Sequence, residues 1–158
     1  MTIESSNPFA QRSTLEYELP PFSLIKDEHY LPAFYAGCEA QLKEVDLILA
    51  TEPATFENTL VALEKSGQLL NRVLNVFFNK SSSDTNETLD KIEAELAPKL
   101  AAHSDAIKLN ERLFKRIKGL YESRMNLGLN EEDANLLEKY YTDLLHAGAH
   151  LSSEQRDE

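Results

Sequence analysis

The run PATFENTLVALEKSGQLLNRVLNVFFN, Pro53 to Asn79, decides the fold. Phe56, Leu60, Leu63, Gly67, Leu70, Leu74 and Phe77 follow one another at alternating intervals of four and three, which sets them on one line of an α-helix. Leu69, Val73 and Val76 widen that line into an apolar face. Glu57, Glu64, Gln68, Asn71, Arg72, Asn75 and Asn79 fall on the other side, the pattern of a helix with one face buried. Burying the six large seam side chains is worth roughly 1.5–3 kcal/mol each before ordering entropy is subtracted. Read as one helix, the run is about 40 Å long and needs several partner helices to cover it.

Upstream, residues 1–26 show little helical pattern and hold Pro8, Pro20 and Pro21. They read as an extended N-terminal arm anchored by Phe9, Tyr17, Phe22, Leu24 and Ile25, followed by a helical domain over 27–158. Asp27 and Glu28 place negative charge at a helix start, so the first long helix begins close to Tyr30, with Pro32 in its first turn. Phe34, Cys38, Leu42, Val45 and Leu49 form its inner stripe, and Thr51 to Ala54 end it. Thr55 is placed to cap the organising helix.

Downstream, Asp84 and Glu87 have capping-box spacing. Leu89, Ile92, Leu96, Leu100 and Ile107 then carry a third helix through Pro98, which removes one backbone hydrogen bond and bends the helix near 94–97 without splitting it. Asn110 caps a shorter basic helix with Leu113, Ile117, Leu120 and Tyr121 inward, closed by Gly128. Asn130, with Glu131, Glu132 and Asp133 behind it, starts a last helix whose buried line is Ala134, Leu137, Tyr141, Leu144 and Gly148. Tyr140 and Tyr141 face different sides of it, one toward the core and the other toward an interface. Ser152 and Gln155 repeat the capping-box spacing close to Glu158, as if a further helix began there. No stretch alternates as a strand does, so the expected fold is all-α: a bundle of about five helices with an extended arm.

The formal charge of -11 and pI near 4.8 argue against nucleic acid or an anionic membrane as partner. The one basic run, Lys108, Arg112, Lys115, Arg116 and Lys118, lacks interleaved aromatics and reads as a solvated face or an intramolecular salt-bridge surface. Cys38 is the only cysteine and reads as a small buried hydrophobe. The first residues have neither the basic start nor the apolar run of a secretory signal, and no stretch approaches eighteen consecutive apolar residues; a cytoplasmic location is expected.

Candidate chemistry is sparse. The histidines are His29, His103, His146 and His150, and none is followed by Glu, so a His-Glu-x-x-His metal helix is absent. His146 and His150 are four apart and could share a helix face, but Gly148 lies between them and no third ligand is evident. His103 reads as a structural histidine on an apolar face, and His29 as part of a helix-start turn. The five glycines are isolated, so there is no phosphate loop, and Glu131 to Asp133 lack calcium-loop spacing. No catalytic, cofactor-binding or metal residue is assigned in this segment.

The organising run also resembles, phrase by phrase, the N-terminal part of the thimet oligopeptidase family of zinc metallopeptidases, in its bacterial peptidyl-dipeptidase and oligopeptidase A branches. The pieces that carry the resemblance occur in family order: Asn7-Pro8, PPFSLIKDEHYLPAF (20–34), PATFENTLVALEKSG with LLNRVLNVFFN, SSDTNETLDKIEAELAPKLAAHSDAIKLN (82–110), LFKRIKGLYESR (113–124) and LLEKYYTDLLHAGAHLS (136–152). The resemblance implies a non-catalytic part of one lobe of an all-α clamshell, walling the substrate channel of a peptidase that releases C-terminal dipeptides from short peptides. An endopeptidase of the oligopeptidase A type is the alternative within the family. Zinc and the glutamate general base would then belong to residues beyond 158, and the partner would be the catalytic lobe of the same polypeptide. A reading from outside the family is a free-standing acidic helical module that binds a protein partner. Cut from its lobe, the segment is expected to leave apolar surface exposed and to self-associate through it.

Overall fold

The structure, a computed structural model, describes residues 3–151; the capping signal at Ser152 to Gln155 lies outside the described residues. Among those residues there is no strand, and five long helices are present, as expected: α1 (Tyr30–Ala50), α3 (Gln68–Ser83), α4 (Glu87–Lys108), α5 (Glu111–Glu122) and α6 (Glu131–Ala147). Between α1 and α3 a π-helical turn, Glu57–Val61, runs into the short α2, Ala62–Glu64.

The expected single helix over 53–79 is broken. Lys65 and Ser66 close α2 with bonds from their N–H groups to the carbonyls of Val61 and Leu63, and Gly67 turns left-handed at φ 69° before α3 begins. Any other residue would be strained in that backbone, and a Cβ there would lie 2.5 Å from Nε2 of Gln41. The seam therefore serves two cores. Leu60 and Leu63 pack with Val45, Ile48, Leu49, Leu113, Ile117 and Leu137, whereas Leu70, Val73, Val76 and Phe77 pack with Phe9, Tyr30, Phe34, Leu89 and Leu96.

These cores belong to two compact units. The first comprises residues 3–43 and 67–101, the second residues 44–66 and 102–151, so α1 and α4 each contribute one part to each unit. In the first unit, the 3-10 turn Asp27–His29 leads into α1 at Tyr30, where the acids and Pro32 predict it. The α1 stripe holds at Phe34, Val45 and Leu49, with Cys38 half-buried; Leu42 is instead exposed. α4 passes Pro98 unbroken. Its cap is Asn86, whose Oδ1 accepts from the N–H groups of Thr88 and Leu89, and Asp84 instead ends α3 with its carboxylate on Lys80.

Only part of the arm is anchored as expected. Phe9 is buried against Tyr30, the Phe9 carbonyl accepts from Arg72 Nη2 (3.0 Å), and Asn7 Nδ2 donates to the carbonyl of His29 (3.0 Å). Tyr17, Phe22 and Leu24 are exposed, and in the same stretch Tyr17 and Glu18 both have positive φ.

In the second unit, Thr55 caps the π-turn as expected: its Oγ1 accepts from the Asn58 N–H while Asn58 Oδ1 accepts from the Thr55 N–H. Asn110 and Asn130 cap α5 and α6 through their Oδ1 atoms. α5 ends at Glu122, before the expected Gly128, and a 3-10 turn, Arg124–Asn126, follows. Tyr141 on α6 stacks on Tyr121 (4.2 Å between centroids) and Phe114 (5.9 Å), fastening α6 to α5.

Candidate functional site

The most elaborated polar centre lies in the second unit, around Arg116. Leu113, Arg116, Ile117 and Leu120 share one face of α5 at helical spacing, so Arg116 is carried inward with the apolar residues and is buried. Its Nε donates to Thr59 Oγ1 (2.8 Å), Nη1 to Glu52 Oε1 (3.2 Å), and Nη2 to both the Thr51 carbonyl (2.6 Å) and Asn58 Oδ1 (2.9 Å). Asn58 is itself tied by Nδ2 to the Pro53 carbonyl (2.9 Å). One guanidinium thus binds the end of α1, the connection after it and the π-turn. A buried charge is tolerated when hydrogen bonds and a counter-charge compensate its lost hydration, and Arg116 has both.

Beside it opens a cleft of about 520 Å³, lined by Leu49, Glu52, Ala54, Arg112, Lys115 and Gly119 among others. Its lining among the described residues contains no histidine or cysteine, and its one carboxylate is held by Arg116. The arrangement can hold backbone in place; it offers no nucleophile with an adjacent base. Of the two readings of the basic run, a solvated face or an intramolecular salt-bridge surface, Arg116 follows the second through its ion pair with Glu52, but its burial is not expected from either. The available signal was its phase, three after Leu113 and four before Leu120.

The histidines are dispersed. His29 Nδ1 accepts from the Lys26 N–H (2.9 Å), holding the turn before α1 as expected. His103 is buried in α4, and that burial pushes its pKa below the usual histidine value. His146 is exposed in the last turn of α6. The helix stops at Ala147 and Gly148 turns left-handed at φ 89°, so His150 lies beyond the helix, its ring 6.2 Å from that of Phe114. The two do not share a helix face. Among the described residues no three of His, Cys, Asp and Glu stand together where they could hold a metal ion, and this donor set does not fit a zinc site. Tyr140, half-buried, donates to Glu64 Oε1 (2.6 Å) within its own unit; burial and that carboxylate raise its pKa. Cys38 packs against the first core, and burial pushes its thiol up to about 11.

No family model matches the chain. It is 40% identical over 154 residues to a dipeptidyl carboxypeptidase of Salmonella typhimurium, and 37% identical over 151 residues to one of Escherichia coli. It is 25% identical over 141 residues to oligopeptidase A of Escherichia coli. These matches take in 96%, 95% and 89% of this chain but only 22%, 22% and 21% of the relatives, so the chain spans about a fifth of their length. Over almost its whole length, then, the chain is a homologue of one segment of the peptidases represented by dipeptidyl carboxypeptidase and oligopeptidase A.

Proposed function

We propose that this chain is the non-catalytic N-terminal helical lobe of a cytoplasmic zinc-dependent peptidase that releases C-terminal dipeptides from short peptides, and that it forms part of the substrate-channel wall. The observation that carries the reading is 40% identity across 96% of the chain to a dipeptidyl carboxypeptidase. Oligopeptidase A, at 25%, is the more distant match, which favours the dipeptide-releasing reading over the endopeptidase one. On this reading the metal and the general base stand on residues outside this sequence, and the residues here supply shape. A wall must keep its contour while substrate passes. The Arg116 network and the close packing of Gly37 against Leu70 are features suited to that task.

The test is hydrolysis of a short peptide with a free C-terminus, by this chain alone and by the polypeptide extended through its reading frame. The expected result is dipeptide release by the longer protein only, lost to a chelator and restored by zinc. Hydrolysis by neither, with both folded, would sink the peptidase reading and leave the free-standing interaction module.

A further inference from the structure

Exposed apolar side chains are unevenly spread over this chain. Of the nine large ones exposed among the described residues, five fall between 15 and 24: Leu15, Tyr17, Leu19, Phe22 and Leu24, with exposures of 51–87%. Scattered apolar residues on a surface need no explanation, but a run of them does. This run is not loose chain. It is tethered at one end by Phe9 in the core and by Arg12 on Gln68, and at the other by Ile25 against the core and the His29 turn. Inside it, Ser13 Oγ donates to the Leu19 carbonyl (2.5 Å), and Pro20 and Pro21 restrict the backbone that follows.

At its apex Tyr17 and Glu18 both sit in the left-handed region (φ 56° and 54°), which is unfavourable for residues with a Cβ. Such a conformation persists where surroundings over-determine it, yet Tyr17 is 87% exposed. The turn presents its apolar side chains outward in a fixed arrangement, the property that lowers the entropy cost of docking.

We infer that residues 15–24 are the surface by which this chain docks on the rest of the peptidase polypeptide, an inference that rests on the reading given above. The relatives indicate the occupant: about four-fifths of their length lies outside the matched segment. A second copy fits less well, since each copy carries a net charge of -11. Glu16 lies beside Tyr17, while Glu18 pairs with Arg12 of this chain (3.7 Å), so the partner surface is an apolar depression with a basic side chain at its rim opposite Glu16.

The experiment replaces the matched segment of the Salmonella typhimurium dipeptidyl carboxypeptidase with this chain and follows trypsin cleavage after Arg12, which is exposed beside the patch. Tyr17→Ser, Phe22→Ser and Leu24→Ser are introduced together, in the chimera and in the isolated chain. The expected result is cleavage about tenfold or more slower in the chimera than in the isolated chain, with protection lost in the triple variant and the isolated chain's melting unchanged by it. Equal cleavage in chimera and isolated chain overturns the proposal, as does a chimera that cannot fold, because the surface then does not fit. A triple variant that destabilises the isolated chain overturns it in favour of an internal role. A sedimenting dimer of the isolated chain that the variant dissolves assigns the surface to a second copy instead. A folded chimera without peptidase activity counts against the peptidase reading, while Arg12 protection, which needs no substrate, still decides the docking.

Discussion

A β-carbon on Gly37 would lie 2.8 Å from the Cα of Leu70 and 2.9 Å from its backbone nitrogen, so α1 and α3 meet backbone to backbone at this point. Neither atom can move without moving a helix. Gly37→Ala would gain the helix propensity of alanine, worth about 1 kcal/mol, and still be destabilising, because overpacking at a backbone contact costs about 1–3 kcal/mol and displaces the packing around it. A urea titration should show a lowered midpoint. An unchanged or raised midpoint would mean that the two helices separate freely.

Arg116→Met removes the donors of Thr59 Oγ1, the Thr51 carbonyl and Asn58 Oδ1 together. Asn58 Oδ1 keeps the Thr55 N–H and the Thr59 hydroxyl as donors and Thr51 is exposed, so the buried acceptor that loses its donor is Thr59 Oγ1, and the loss should be about 1–3 kcal/mol. Glu52→Gln should cost less than about 1 kcal/mol, since that carboxylate is 72% exposed. Comparing the two by thermal melting separates the hydrogen-bond network from the ion pair; equal losses would contradict the geometry.

His103 gives stability a pH dependence of defined sign. Burial lowers its folded pKa below the unfolded value near 6.5, so the unfolded chain binds the proton first. Its contribution is complete above about pH 6.5 and declines as the pH falls from there through the lower folded pKa. Urea midpoints at pH 7.5 and 5.5 should differ for the parent protein and differ less for His103→Gln, over a range where few carboxylates titrate. A slope unaffected by the substitution would place its origin elsewhere.

With the Cys38 thiol pushed up to about 11, little thiolate exists at pH 8. Alkylation by iodoacetamide should run about a hundredfold slower in the folded protein than in urea. Rapid labelling of the native chain would show that the thiol is not held against the core.

The sequence made some elements plain and others invisible for identifiable reasons. Thr55, Asn110 and Asn130 act as caps because their signals are local: a side chain two or three residues from the N–H groups it serves. Asp84 misled because Asn86 two residues later offers the same chemistry, and the pairing of Asp84 with Lys80 is not a capping signal. Gly67 fitted the helical line at Pro53 to Asn79 in phase, and periodicity alone does not register a single left-handed residue that redirects the second half of the line into another core. Hydrophobicity points Leu42, Tyr17, Phe22 and Leu24 inward, but it says what a side chain prefers and not what is available to cover it. For Arg116 a basic run allows the intramolecular ion pair found with Glu52, whereas its burial follows from its phase on α5, which composition does not register.

The interleaving of the two units sets the order in which a nascent chain can fold. Residues 3–43 find their core partners only after 67–101 have left the ribosome, and residues 44–66 wait longer still, for α5 and α6. The segment 44–66 must therefore emerge with Leu49, Leu60 and Leu63 uncovered while synthesis proceeds at about 5–20 residues per second, an interval of several seconds. The local turn around Thr55 and Asn58 can form within that interval; Arg116 then arrives on α5 as the last piece of a site already shaped to receive it.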